Sequence, residues 1–305
     1  MLVIRRMVQE HDFFSRISSN FSLLCINTSR PVYLVFGCCS EFPDYVIRRF
    51  DENKLIPSYF LEKKIFDAVG NLIAEPLCII RASGSRYEIQ RGVKGLPWFQ
   101  LRNKIRNSSE RILVERRIWA TLKKLHLAIG NNLDKGISKI LPCEELATVF
   151  SKYTAIEGVV ADRLVRTVER ATEELREASH ACNSIQQHGD FCINNLIIDW
   201  GHITVIDLED FGITSMPLYD YFTLALTLPS FDPKPSNAAQ VFTHSKIVEA
   251  ANELKVPESA IKWHFLHHIL LRLGAWSSSR KSYRVWLEKV LDNFLNDIES
   301  NQIIR

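Results

Sequence analysis

The pattern of apolar and polar positions differs between the first hundred residues and the rest of the chain. In the first part, residues 31–37 and 45–50 are β-branched and aromatic runs separated by a short turn, which predicts an antiparallel hairpin. Residues 57–69 carry a helical apolar stripe, and residues 77–81 and 87–90 are typical of two further strands. These elements predict a β-rich lobe.

Gly92, Gly95 and Pro97 interrupt this pattern and predict a hinge. Beyond the hinge the apolar positions recur at helical spacing, which predicts helices from residue 108 onward and over 157–182, 244–254 and 258–299. We therefore expect two domains: a smaller β-rich N-lobe over residues 1–92 and a larger, mainly helical C-lobe over residues 93–305.

Composition narrows the class of protein. With 305 residues, 46% of them hydrophobic and 24% charged, the chain can bury a sizeable core. A net charge of +3 is small for a nucleic-acid reader, and no apolar run approaches the roughly 20 residues that span a bilayer. Seven cysteines without a Cys-x-x-Cys pair fit reduced thiols. We expect a cytoplasmic protein with no nucleic-acid partner and no membrane segment.

The strongest chemical signal lies at residues 187–207. His188, Asp190 and Asn195 follow the spacing H-x-D-x-x-x-x-N of a kinase catalytic loop, and two apolar runs and a second Asp come next. Phosphoryl transfer needs a carboxylate to orient and deprotonate the acceptor hydroxyl, and separate oxygen ligands to hold Mg²⁺ on the phosphates. Asp190 can fill the first role. Asn195 and a later Asp can fill the second, because a hard cation prefers oxygen ligands.

Two later aspartates compete for the metal. Residues 210–212 spell the D-F-G of protein kinases, but the two apolar runs predict a hairpin that turns around Gly201. Asn195 and Asp207 lie six residues on either side of that glycine, so we expect them to face each other across the hairpin. This favours Asp207 as the metal ligand and leaves Asp210 beside the catalytic loop.

This stretch resembles the aminoglycoside phosphotransferase and choline kinase superfamily, whose pattern is H-G-D-x-x-x-x-N, then I-D, a Gly and a later Y-D. The matching elements are His188-Gly189-Asp190, Asn195, Ile206-Asp207, Gly212 and Tyr219-Asp220. The resemblance implies an α+β, bilobal protein-kinase-like fold. It also implies transfer of the ATP γ-phosphate, with Mg²⁺, onto a hydroxyl of a small molecule.

The resemblance further implies a role for each matched residue. These roles are catalytic base for Asp190, Mg²⁺ ligands for Asn195 and Asp207, and structural braces of the catalytic loop for His188 and Asp220. The acidic pair Glu209 and Asp210 points to a cationic or polyhydroxy acceptor, such as an amino sugar or amino alcohol.

The N-terminal part supplies candidates for nucleotide binding. Kinases place a cation on the third strand and pair it with a Glu on the following helix. Arg48 and Glu62 occupy these positions, with Arg where the family usually has Lys. The loop before the first predicted strand lacks glycines, and Ser29 is predicted to serve the phosphates there. The segment after the last predicted strand resembles the family's hinge, where backbone groups of about Gln90 to Gly92 would meet adenine.

Two other functions stay open. The glycine-poor loop and Arg48 are compatible with a catalytically silent, kinase-like protein that binds nucleotide or acts as a scaffold. Against it stands the complete set of Asp190, Asn195 and Asp207. A protein kinase is disfavoured because Gly189 stands where protein kinases carry Arg and because no A-P-E signal follows. The acceptor, the choice between ATP and GTP, and the oligomeric state are left open.

Overall fold

The computed structural model describes residues 2–10, 21–26, 31–50, 58–105, 107–133, 139–178, 182–275 and 281–303. The chain divides into two compact units, Met1–Leu133 with Asn194–Glu209 and Asp134–Ile193 with Asp210–Arg305. This division follows spatial contact, whereas the sequence analysis placed a single cut after residue 92. The predicted lobe boundary therefore stays a prediction.

Strands and helices occur in both units. In chain order the strands are β1 (Ser22–Ile26), β2 (Val32–Phe36), β3 (Tyr45–Phe50), β4 (Pro76–Ala82), β5 (Ser85–Arg91), β6 (Leu96–Pro97), β7 (Lys139–Ile140), β8 (Cys182–Asn183), β9 (Leu196–Ile198) and β10 (Ile203–Val205). The helices are α1 (Leu2–Glu10), α2 (Ser58–Val69), α3 (Trp98–Leu101), α4 (Ser108–Asn132), α5 (Pro142–Glu157), α6 (Asp162–Glu177), α7 (Tyr219–Thr227), α8 (Pro235–Ala238), α9 (Ser245–Glu253), α10 (Glu258–Ala275) and α11 (Lys281–Ile303). Within the described ranges, none of these helices is long and apolar enough to cross a bilayer.

The first unit is built on an antiparallel sheet with strand order β1-β2-β3-β5-β4. Successive residues of a strand point to opposite faces, so Ile47 pairs with Ile89 on one face and Arg48 with Glu88 on the other. Helix α1 packs on the apolar face and buries Met7 completely. The four strands that the sequence predicts in this region are confirmed as β2 to β5.

Helix α4 is capped at its start by a side chain and contacts α2 at its end. It begins after Asn107, whose side chain accepts a hydrogen bond from the backbone N–H of Glu110 at 2.9 Å. At its other end, Asn132 donates to the carbonyl of Ala68 in α2 at 2.8 Å. The β9–β10 hairpin pairs with β6 and belongs to the same unit. The unit therefore joins the sheet to the hairpin that carries Asn195 and Asp207.

The second unit is mainly helical. The helix predicted over 157–182 is present as α6 but is shorter than predicted, because Gly158 ends α5 with a φ of +76° and α6 begins only at Asp162. The helical segment predicted over 258–299 contains two helices, α10 and α11, and residues 276–280 between them lie outside the described ranges. An antiparallel sheet unit together with a helical unit confirms the predicted α+β fold class.

Candidate active site

The predicted site residues are distributed over both units. The first unit holds Arg48, Glu62, Gln90, Gly92, Asn195, Asp207 and Glu209, and the second holds His188, Asp190, Asp210 and Asp220. Ser29 lies outside the described residues.

A buried polar network covers the charged face of the sheet. Arg48 on β3 forms an ion pair with Glu62 on α2, and its Nη2 lies 4.0 Å from Oε2 of Glu88. Gln90 on β5 donates from Nε2 to the other carboxylate oxygen of Glu62 at 2.5 Å. Only 13% of the Arg48 side chain and 3% of the Glu62 side chain are exposed. The predicted pairing of strand cation and helix acid is therefore present.

The carboxylates around Arg48 keep it charged. Burial alone would lower the pKa of Arg48, but Glu62, followed by Glu88 and Asp207, raises it above its ordinary value. Since Asp207 contributes to this pKa rise, its carboxylate lies within electrostatic range of the guanidinium. The first unit thus brings the strand cation and the predicted metal ligand into one electrostatic environment.

The β9–β10 hairpin sets the position of Asp207. Asp199 and His202 exchange two backbone hydrogen bonds around a two-residue turn, and the N–H of Ile206 donates to the carbonyl of Asn195 at 2.9 Å. Asn195 therefore faces Ile206, and the predicted direct pairing of Asn195 with Asp207 is wrong by one residue. The error arises because the prediction centred the turn on one glycine, whereas a two-residue turn moves the register by one position.

Asp207 leaves the hairpin in a backbone conformation that few residues adopt. Its φ is +65°, in the left-handed region, which Asp tolerates better than bulky or β-branched residues do. Non-glycine residues held in such conformations cluster at functional sites. The side chain is exposed, and that of Asn195 is half-buried.

The donor set of Asn195 and Asp207 suits a hard divalent cation. Among the described residues, no three or more His, Cys, Asp or Glu side chains form a metal-binding cluster. Mg²⁺ does not require one, because it binds proteins through one or two side-chain oxygens and completes its shell with water and phosphate oxygens. An amide oxygen and a carboxylate at the base of one hairpin fit that requirement.

In the second unit, a buried carboxylate clamps the loop that carries Asp190. Asp220, at the start of α7 and fully buried, accepts from the N–H of His188 at 2.7 Å and from that of Gly189 at 3.1 Å. Its own N–H donates to Oε1 of Gln187 at 3.1 Å. Nδ1 of His188 accepts from the N–H of Asp190 at 3.2 Å. These hydrogen bonds hold the backbone of the loop on both sides of Gly189.

Gly189 makes a close approach to the segment that follows the hairpin. Its φ is +87°, and a Cβ added there would lie 2.3 Å from the carbonyl oxygen of Asp210. The N–H of Gly212 also donates to the carbonyl of Gln187 at 2.8 Å. Asp210 therefore lies beside the catalytic loop, as the sequence predicts. Glu209, in the first unit, is exposed.

The hinge residues are partly used inside the protein. The N–H of Gly92 donates to the carbonyl of Asp44 at 2.7 Å, and Gln90 lies within the β3–β5 pairing. The side chain of Gln90 serves the Glu62 carboxylate. Contacts of this segment with adenine stay a prediction.

Sequence reasoning missed Arg272 of α10. Its Nη2 lies 3.0 Å from Oδ1 of Asp190, and only 5% of its side chain is exposed. A fully buried arginine is rare unless it is paired. The sequence did offer one signal. Arg272 lies one helical turn after His268, on the face of α10 that also carries Phe265, and this face is buried.

Comparison with known proteins shows the family to which this sequence belongs. The sequence matches the phosphotransferase enzyme family, APH, over residues 31–246. No curated protein matches the sequence in a direct search.

Solved structures share the fold at low sequence identity. An ethanolamine kinase from Plasmodium vivax is 13% identical with a TM-score of 0.54, and the match covers 95% of this chain and 86% of that chain. A choline kinase from Streptococcus pneumoniae is 14% identical with a TM-score of 0.52, covering 97% and 98%. These likenesses show a kinase-like phosphotransferase fold. Because the family match spans more than half of the sequence, the chain belongs to the phosphotransferase enzyme family.

Proposed function

We propose that this protein transfers the γ-phosphate of ATP to a hydroxyl group of a small molecule, with Mg²⁺ as cofactor. The observation that carries the proposal is the clamp on the catalytic loop. A fully buried carboxylate, Asp220, holds two consecutive backbone N–H groups immediately before Asp190. Such an arrangement defines where the Asp190 carboxylate is presented, and membership of the phosphotransferase family supplies the reaction class.

The reaction assigns one role to each group. The acceptor oxygen attacks the γ-phosphorus, the bond from that phosphorus to the bridging oxygen breaks, and ADP leaves. The proton of the acceptor hydroxyl passes to the carboxylate of Asp190. Arg48, held by Glu62, offsets the negative charge of the α- and β-phosphates.

The metal assignment follows from the oxygen donors of the hairpin. Asn195 and Asp207 would hold Mg²⁺, which when bound would neutralise phosphate charge. The left-handed backbone of Asp207 supports a functional rather than a structural role for this residue. We further propose that the segment Gln90 to Gly92 serves the adenine and that Ser29 serves the phosphates.

The acceptor is proposed to be a cationic or polyhydroxy alcohol. Asp210 lies beside the loop that carries Asp190, and a carboxylate there favours a positively charged or hydroxyl-rich molecule. Glu209 is proposed for the same role because it precedes Asp210 in the chain. Since two kinases of similar fold act on ethanolamine and choline, these two amino alcohols should be tested first.

The test is Mg·ATP turnover, read as ADP release, across a panel of amino alcohols, sugars, amino sugars and nucleosides. We expect one acceptor class to stimulate turnover. Asp190→Asn should lower kcat for that acceptor roughly 10²–10⁴-fold, the usual contribution of a general base. Asp199→Asn is the matched control, because this exposed aspartate lies at the hairpin turn.

The outcomes separate the candidate functions. No acceptor-stimulated turnover, with Mg·ATP binding intact, would favour the silent nucleotide-binding scaffold instead. Turnover that survives Asp190→Asn with little loss would remove the proposed base, even if the protein is a kinase.

A further inference from the structure

We propose that Arg272 is a positioning residue that fixes the orientation of the Asp190 carboxylate toward the acceptor hydroxyl. This inference rests on the proposed function, because it takes Asp190 as the group to which the proton passes. It concerns a residue of α10 that lies 82 positions after Asp190 in the chain.

The contacts of Arg272 are concentrated on the catalytic loop. Its Nη2 lies 3.0 Å from Oδ1 of Asp190 and 3.3 Å from the carbonyl oxygen of Gly189. The same nitrogen lies 3.0 Å from Oγ1 of Thr223 on α7. Arg272 therefore ties the side chain of Asp190, the backbone before it and a neighbouring helix to one planar group. The charge-assisted contact from Nη2 restrains Oδ1 of Asp190.

The charge of Arg272 is permanent. Burial alone would lower the pKa of Arg272, but Tyr219, Tyr283 and Asp190 raise it above its ordinary value. The guanidinium also lies 5.7 Å from the centroid of the Tyr219 ring. The titratable groups that face this cation are Asp190, Tyr219, Tyr283 and His268. The cation is thus present at every pH at which the enzyme is folded.

The two oxygens of Asp190 have different partners. Oδ1 accepts from the buried guanidinium, a strong charge-assisted contact. Oδ2 accepts from the thiol of Cys192 at 3.9 Å, and a thiol is a weak donor. About 20% of the Asp190 side chain is exposed. The guanidinium therefore makes the stronger of these two contacts.

Arg272 is proposed to act through the orientation of Asp190, because a displacement of about 1 Å in a reacting group can cost about 10²-fold in rate. Loss of Arg272 should then lower kcat while leaving the affinity for Mg·ATP nearly unchanged.

The experiment compares Arg272→Met and Arg272→Lys with Asp190→Asn and with the double variant Asp190→Asn/Arg272→Met. With the best acceptor of the panel, Arg272→Met should lower kcat about 100-fold and change the KM for Mg·ATP less than about threefold. Arg272→Lys should lose only about tenfold, because it keeps the charge but not the planar fork. In the Asp190→Asn background, Arg272→Met should cost less than about threefold more, since both act through one group.

Arg170→Met is the matched control. Arg170 belongs to the same unit and lies on α6, where it forms an ion pair with Glu174. It should reduce resistance to urea and leave kcat within about twofold. The proposal would be overturned if folded Arg272→Met had the kcat of the wild type. It would also be overturned if the losses of kcat in the two single variants multiplied in the double variant. If Arg272→Met does not fold, an unchanged kcat in Arg272→Lys would do the same.

Failure of the proposed function gives a different result. In that case Asp190→Asn keeps its turnover, or no acceptor is found. The contact itself is then tested by urea unfolding of the wild type, Arg272→Met, Asp190→Asn and the double variant. The unfolding equilibrium constant of the double variant should differ at least about tenfold from the value obtained by multiplying the effects of the two single substitutions. If the two substitutions act independently, Asp190 and Arg272 do not interact, and the proposed contact is wrong.

Discussion

Gly189 and Asp207 show how single backbone conformations shape this site. Both residues have positive φ angles, but for different reasons. At Gly189 the side chain is absent because the carbonyl of Asp210 occupies the space. At Asp207 a side chain is present in a backbone conformation that disfavours it, and non-glycine residues in such conformations cluster at functional sites.

Gly189→Ala should therefore be strongly disruptive. The new Cβ would lie 2.3 Å from a backbone oxygen, and the positive φ alone costs about 1–2 kcal/mol for a residue with a side chain. We expect the free energy of unfolding to fall by about 2 kcal/mol or more and kcat to fall at least about tenfold, measured by urea unfolding and ADP release.

Gly130→Ala is the control, because nothing lies within 4 Å of a Cβ at this position in α4. It should stabilise the protein by up to about 1 kcal/mol, as alanine does in a helix. Equal effects of the two substitutions would show that the close approach at Gly189 does not exist.

At the scale of elements, Glu62 links α2 to two strands of the sheet. Glu62 receives the guanidinium of Arg48 from β3 and the amide of Gln90 from β5. The helix and two strands thus meet at a single buried acid, which orders the cation proposed to bind phosphates.

Glu62→Ala should destabilise the first unit and weaken nucleotide binding. Removing one partner of a buried ion pair costs about 3 kcal/mol, because the other charge stays buried. Urea unfolding and titration calorimetry with Mg·ATP would measure the two effects.

Lys63→Ala on the same helix removes an exposed ion pair with Asp67 and should change stability by less than about 1 kcal/mol. If Glu62→Ala were as mild as this control, the buried network would not hold the helix in place.

The elements differ in how far the sequence predicts them. Strands β2 to β5 follow from local alternation, and the helical character of the second unit follows from apolar spacing. The helix bounds near Gly158 do not, because a glycine can continue a helix or end it and only the surrounding packing decides. The predicted register of the β9–β10 hairpin was wrong for a similar reason, because the sequence is compatible with turns of different length.

At the scale of the whole molecule, a group of histidines couples stability to pH. His264 and His267 of α10 are fully buried, and in the described structure both ring nitrogens of His267 and Nε2 of His264 have no hydrogen-bond partner. Burial lowers the pKa of His264 to about 4, and burial together with His264 lowers that of His267 to about 3. The unfolded chain therefore binds more protons than the folded protein below about pH 6.5.

Stability should fall as the pH falls from about 6.5 to about 4. At pH 5 each of these histidines contributes a loss of about 2 kcal/mol relative to pH 8. Urea unfolding at a series of pH values should show this slope, and His267→Leu should remove roughly a third of it, because burial lowers the pKa of His268 as well.

Phe265→Leu on the same helix has no titratable group and should lower the free energy of unfolding by a similar amount at every pH. A slope unchanged in His267→Leu would contradict the assignment.

The candidate site was predictable where its residues are close in the chain. His188, Asp190, Asn195, Asp207 and Asp220 were all found from one motif. Arg272 was not, because its contact with Asp190 joins positions that only the packing of α10 brings together. A single sequence shows that an arginine occupies an apolar stripe but does not show which carboxylate it meets.

The close approach at Gly189 also bears on ancestry. Protein kinases carry arginine at the corresponding position, and here even one added carbon would collide with the neighbouring main chain. A descendant with that arginine would first need a different path for the segment from residue 210 onward. A side chain at position 189 therefore requires compensating changes in a second, separate stretch of the chain.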